Sequence, residues 1–185
     1  MRVITGTARG RKLQTPPGFD TRPTTDKVKE AICSSLQFDF PGAVVLDLFA
    51  GSGQMAIEAL SRGAQKAVLI DADPRAVSCI KQNVRGCGFL EKAEILRSDA
   101  LSYLQRTEQM FDIAFLDPPY RNNILQQILP LLAEKMQKTG IIVCEHEPEC
   151  KLSDIIQNFH LQKQKKYGKI TVSIYQQPED SEESG

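Results

Sequence analysis

Ala43-Val44-Val45-Leu46-Asp47-Leu48-Phe49-Ala50-Gly51-Ser52-Gly53 runs, past Gln54, into Met55-Ala56-Ile57-Glu58-Ala59-Leu60, and the change of pattern between the two halves decides the fold. The first half is a short, unbroken apolar run closed by small residues, the pattern of a strand buried on both faces of a parallel sheet. The second half is helical. Between them, glycine lets the backbone approach a ligand closely, and the first turn of the helix presents amides without partners of their own.

Working outward, Ala67-Val68-Leu69-Ile70 predicts a second strand ending at Asp71, about 20 residues after Gly51, the offset of an acidic residue that holds a ribose diol. Asp73-Pro74 opens a helix whose apolar face is Val77, Ile80 and Val84, with Gly86 and Gly88 at its end. A weaker strand, Ala93-Glu94-Ile95-Leu96, leads to Ser98-Asp99-Ala100 and a short helix through Leu101 and Leu104. Phe111-Asp112-Ile113-Ala114-Phe115-Leu116 is another buried strand, and it delivers Asp117-Pro118-Pro119-Tyr120 to the sheet rim, where open α/β folds bind ligands. The two prolines stop the ladder and stiffen the turn. One carboxylate, the Pro118 carbonyl and one aromatic face are thereby aimed at a small volume, a set suited to a flat heterocycle carrying an exocyclic amine. A helix from Asn122 to Met136, kinked at Pro130, and a strand over Ile141-Ile142-Val143-Cys144 follow. The chain closes with a hairpin of Leu161 to Tyr167 and Ile170 to Tyr175, turned at Gly168.

Upstream, Met1 to Gly6 and Arg11 to Gln14 read as a basic β-hairpin, and Thr24-Thr25-Asp26 caps a helix docked through Val28, Ala31, Ile32 and Leu36, with Lys27 and Lys29 off that stripe. The order predicts an α/β fold with a mostly parallel sheet covered by helices on both faces. It is read as one domain over 1–177, in which 1–40 are a basic hairpin and helix extension and 41–177 the core; 178–185 form a disordered acidic tail.

Composition sets bounds. Lysine plus arginine and aspartate plus glutamate each number 23, so the formal charge is zero, yet cations gather near the start and acids at the end. A neutral sum leaves room for a nucleic-acid partner, because binding follows local patches. The five cysteines include no CxxC pair and the two histidines lack companion ligands, so reduced thiols and no metal are expected. No apolar run spans a bilayer, and a cytoplasmic monomer is expected.

The glycine loop alone leaves its ligand open. Gly51, Gly53 and Ala56 also satisfy a relaxed dinucleotide fingerprint, which keeps a nicotinamide oxidoreductase in play. Asp47 and Phe49 ahead of the loop favour S-adenosylmethionine, because a carboxylate there suits a cationic amino-acid tail better than a pyrophosphate.

Asp47-Leu48-Phe49-Ala50-Gly51-Ser52-Gly53 resembles motif I of class I methyltransferases, and Asp117-Pro118-Pro119-Tyr120 their amine-methylating motif IV. With Arg9-Gly10-Arg11-Lys12-Leu13, Thr21-Arg22-Pro23-Thr24 and Ile57-Glu58-Ala59-Leu60-Ser61-Arg62-Gly63-Ala64, the chain resembles the bacterial RsmD family, which methylates guanine N2 in 16S ribosomal RNA. The resemblance implies a Rossmann-like, seven-stranded methyltransferase sheet and S-adenosylmethionine as cofactor. It implies cofactor contacts at Asp47, Phe49, Ala50, Gly51, Ser52, Gly53, Asp71, Ala72, Asp99 and Ala100, and catalytic roles for Asp117, Pro118 and Tyr120. RNA contacts fall to Arg2, Arg9, Arg11, Lys12, Arg22, Thr24, Pro119 and Tyr120, with 16S rRNA in a small ribosomal subunit as partner. The Gln54-Met55 pair departs from the family's usual small residues and is expected to alter packing without altering chemistry. An adenine-N6 methyltransferase and a non-catalytic RNA-binding assembly factor on the same fold are the alternatives.

Overall fold

The computed structural model describes residues 1–18, 25–119 and 123–179. Arg22, Thr24, Tyr120 and most of the acidic tail, among the residues singled out above, lie outside them. Among the described residues eight strands form one sheet: β1 (Val44–Asp47), β2 (Lys66–Asp71), β3 (Ala93–Arg97), β4 (Phe111–Leu116), β5 (Met136–His146), β6 (Ile155–Ile156), β7 (Phe159–Tyr167) and β8 (Ile170–Gln176), in the order β3-β2-β1-β4-β5-β8-β7-β6. The first five pair in parallel, and β8, β7 and β6 are antiparallel additions. The sheet therefore exceeds the expected seven strands by the two-residue β6. Its turn depends on Gln157 at φ 54°, and an apolar pair is too short a run to announce a strand.

Helices α1 (Asp26–Ser35), α2 (Gln54–Ser61), α3 (Pro74–Gly86), α4 (Ala100–Arg106) and α5 (Ile124–Ala133) occupy the connections. Strand alternation divides the core in two. Val45, Leu69, Ile113, Phe115 and Val143 pack with side chains of α1, α2 and α3, whereas Leu46, Val68, Ile70, Ala114 and Ile142 pack with α4 and α5. Helix α5 stops three residues short of the expected Met136. That residue belongs to β5, where it pairs with Phe111, and the Lys135 carbonyl accepts the Phe111 amide at 2.9 Å.

The N-terminal hairpin is shorter than a two-stranded ladder. A single bridge joins Arg2 to Lys12, with Val3, Gly10 and Leu13 amides closing the turn. The chain spends its remaining polar groups on α2 instead: Ile4 and Thr5 donate their amides to Glu58 at 2.8 and 2.9 Å, and Ala8 donates to Ser61 Oγ at 2.9 Å. Gly6 makes this approach possible, because a Cβ there would lie 1.8 Å from the Ser61 carbonyl oxygen.

Helix α1 is capped by Thr25, whose hydroxyl accepts the Val28 amide. Lys29, expected on the solvent side, is fully buried. Its ammonium donates to the Arg2 carbonyl at 2.6 Å and faces Glu58 at 3.9 Å, an acceptor set supplied by elements that no local pattern could place beside it. Burial holds its pKa below the usual lysine value, against the pull of Glu58 and Asp26.

Candidate active site

Strands β1 and β4 are neighbours with Asp47 in register with Phe115, so the residues that leave their C-terminal ends emerge side by side. Asp47, Phe49 and Ala50 from the first, and Phe115, Leu116 and Asp117 from the second, line one recess. Gln54 and Met55 at the start of α2 cover it, and Val143 and Glu145 of β5 close the far wall. The structure brings Asp47, Phe49, Ala50 and Asp117, all singled out from the sequence, together on this one recess. Sequence reasoning missed Gln54 and Glu145 as members of the same wall.

Asp47 is buried. Its removal from water, reinforced by Asp117 and Asp71 and opposed by the Ala56 backbone amide, pushes its carboxyl up to about 7. Glu145, only 3% exposed, adds a further carboxyl group to the wall. A cation entering the recess would find Asp47, Asp117 and Glu145 together.

The glycine loop itself is held from two sides. Gly51 has φ 57°, and no atom lies within 4 Å of where a side chain would begin, so the loop presents bare backbone to open space. Asp71, at the end of β2, accepts the Gly51 amide at 2.8 Å and the Asp73 amide at 2.9 Å. Each of its oxygens keeps a second lone pair for an outside donor. Asn83 of α3 donates to the Ser52 carbonyl at 2.9 Å and exchanges bonds with both backbone groups of Gln14, so one carboxamide ties the loop to the N-terminal arm. Asn83 stood in the sequence as a polar residue beside the apolar Ile80 and Val84, which is the signal that could have marked it.

Farther along the rim, the Ser98 amide donates to the Asp71 carbonyl at 3.1 Å, bringing the end of β3 against that of β2. Asp99 is exposed and caps α4, accepting the Ser102 amide at 2.9 Å, and hydrogen bonds from the Ser102 hydroxyl and then its amide hold the Asp99 pKa below the usual aspartate value. Ala72 is exposed and Ala100 is buried. Pro118 is buried and Pro119 exposed.

The cations of the N-terminal arm form a separate surface. Arg2, Arg9, Arg11 and Lys12 are all exposed, and Arg2 and Arg9 share a shallow depression with Asp26 and Glu30. On the last hairpin Lys163, Lys165, Lys166 and Lys169 are exposed, with the Lys165 ammonium 5.1 Å from the centre of the Tyr167 ring. Among the described residues, no helix is long and apolar enough to cross a membrane.

Comparison with known proteins agrees with this arrangement. The model of a family described as "Conserved hypothetical protein 95" matches residues 1–176. The chain is 39% identical over 180 residues to the Bacillus subtilis protein named "Putative rRNA methyltransferase YlbH", covering 95% of this chain and 98% of the relative. It is 36% identical over 186 residues to "Ribosomal RNA small subunit methyltransferase D" of Escherichia coli K12, covering 98% and 92%. The solved structure "Putative methyltransferase yhhF from Escherichia coli" superposes with a TM-score of 0.87 at 35% identity, over 96% of this chain and 97% of that one. A buried motif I carboxylate, a motif IV carboxylate on the same recess and a match over nearly the whole length make the chain a member of the Conserved hypothetical protein 95 family, the RsmD family of class I methyltransferases.

Proposed function

We propose that this protein methylates the exocyclic N2 amine of a guanine in 16S rRNA, with S-adenosylmethionine as methyl donor. The observation that carries the reading is the shared recess, where Asp117 of the amine-methylating motif faces Asp47 of the glycine-loop strand. The relatives named for small-subunit rRNA methylation support rRNA as the substrate class.

The residues present fit the cofactor. An acidic recess suits its cationic methionine end, the open backbone at Gly51 leaves room beside the loop, and Asp71 keeps lone pairs for ribose hydroxyls. Asp47, Phe49, Ala50, Gly51, Ser52 and Gly53 would hold the methionine end, and Ala72, Asp99 and Ala100 the adenine edge. When bound, the cofactor supplies a methyl group made electrophilic by its sulfonium.

The chain's own work is positioning. A guanine amine is a poor nucleophile because its lone pair is delocalised into the ring. Asp117 and the Pro118 carbonyl accept its two hydrogens, which favours a pyramidal nitrogen with its lone pair free. Pro119 and Tyr120, the latter assigned by its motif position, hold the base plane. Rate enhancement then comes from orientation and electrostatics, without a strong base. The guanine must be unpaired or splayed from a loop, within an assembling small subunit in the cytoplasm. Arg2, Arg9, Arg11, Lys12, Arg22 and Thr24 hold the RNA backbone, and the enzyme acts as a monomer.

The test is transfer of labelled methyl to free rRNA, to small subunits and to DNA, with nucleoside analysis of the product. Label in N2-methylguanine is expected with the native protein; Asp117→Ala should lose transfer while retaining cofactor binding. Label in N6-methyladenine, or undiminished turnover by Asp117→Ala, would overturn the assignment.

A further inference from the structure

Gln54 is the one residue of the recess with an unmet polar requirement. It opens α2 immediately after Gly53, it is one of the residues lining the recess, and only 8% of it is exposed. Among the described residues its Oε1 is the buried side-chain oxygen or nitrogen with no hydrogen-bond partner. A buried carbonyl oxygen without a donor is costly, and such groups in folded proteins normally have partners. Packing alone gives no reason for an amide here, because Met55 beside it fills the same wall without a polar atom.

The surroundings fix what kind of donor is missing. The recess also carries the carboxyl groups of Asp47, Asp117 and Glu145, so an anion is repelled and a cation attracted. A neutral amide oxygen among carboxylates adds an acceptor without adding to their mutual repulsion.

We infer that Gln54 Oε1 accepts a hydrogen bond from the α-ammonium group of the methyl donor's methionine end, which makes Gln54 a cofactor-binding residue of this chain. The inference rests on the proposed cofactor and goes beyond it in naming the atom that meets the ammonium. It also replaces the expectation that Gln54 affects packing only.

The test is calorimetric binding of S-adenosylhomocysteine, which retains the ammonium, and of 5′-methylthioadenosine, which has the same nucleoside without the amino-acid tail. Gln54→Met removes the acceptor at similar volume. It should weaken S-adenosylhomocysteine about tenfold, the expected loss of one hydrogen bond to a charged group, and leave 5′-methylthioadenosine unchanged. Because the orphan acceptor is gone, the ligand-free variant should melt at or above the temperature of the parent protein. Gln54→Leu provides the same comparison if Gln54→Met packs poorly. Equal weakening of both ligands, or no change in either, overturns the inference while the cofactor reading survives. Failure of the native protein to bind S-adenosylhomocysteine overturns the cofactor reading as well.

Discussion

At the residue scale, Asp47 shows how burial keeps a carboxyl group of the recess in reserve. Its ordinary value of 3.8 is raised to about 7 chiefly by burial. Between those two values the native state holds a proton that the unfolded chain has released, so raising the pH across that window removes stability from the ligand-free protein. Asp47→Asn should therefore flatten the fall in melting temperature of the ligand-free protein between pH 4 and pH 7, as followed by circular dichroism. Binding of a cation reverses the balance by favouring the ionised carboxyl. Titrations of S-adenosylhomocysteine near pH 6.5 in buffers of different ionisation enthalpy should show proton release by the native protein and less by Asp47→Asn. Equal proton release would place the titrating group elsewhere. Asp47 and Asp117 were legible because each ends an apolar run and has nowhere to go but the sheet rim. Gln54 and Glu145 were not, since nothing local distinguishes a polar residue turned into a recess from one turned to water.

At the element scale, α2 does two jobs. Its N-terminus covers the recess, and its later turns hold the N-terminal arm through Glu58, which also accepts from Arg62 Nε at 3.0 Å. Glu58 is completely buried, in a helix whose described residues are all buried. Replacing it with alanine strands Lys29, Arg62 and two backbone amides at once, a loss expected to cost about 3–5 kcal/mol. Chemical denaturation measures that cost, and hydrogen exchange at Ile4 and Thr5 should accelerate in the same variant. Unchanged protection at those amides would mean that the arm is held by other contacts. The elements themselves were readable wherever periodicity was long. Strands β2 and β4 and helices α1 to α3 follow the expected bounds to within a residue or two, because burial on one or two faces imposes its own spacing. The end of α5 and the presence of β6 were not readable. Both are set by which strand lies alongside, a matter of tertiary contact.

At the scale of the whole molecule, a formally neutral chain carries the exposed Arg2, Arg9 and Arg11 on an arm fastened to the core that holds the recess. Fixed cations set the register of a nucleic acid without reading its sequence. Replacing Arg9 and Arg11 together with alanine should weaken RNA binding and reduce the slope of log affinity against log salt by about 1–2. Filter binding over a salt series measures it, and an unchanged slope would remove the arm from the interface. Arg9 and Arg11 are exposed and stand apart from the recess, so cofactor affinity should not change. The arm's attachment also governs the order in which the molecule can be completed. Residues 4, 5 and 8 bond to 58 and 61, and Gln14 to Asn83. During synthesis the arm emerges well before any of these partners has been made. It must wait until the later segments that carry Glu58, Ser61 and Asn83 have been made and folded beside it, so an early-made stretch is among the later ones to settle.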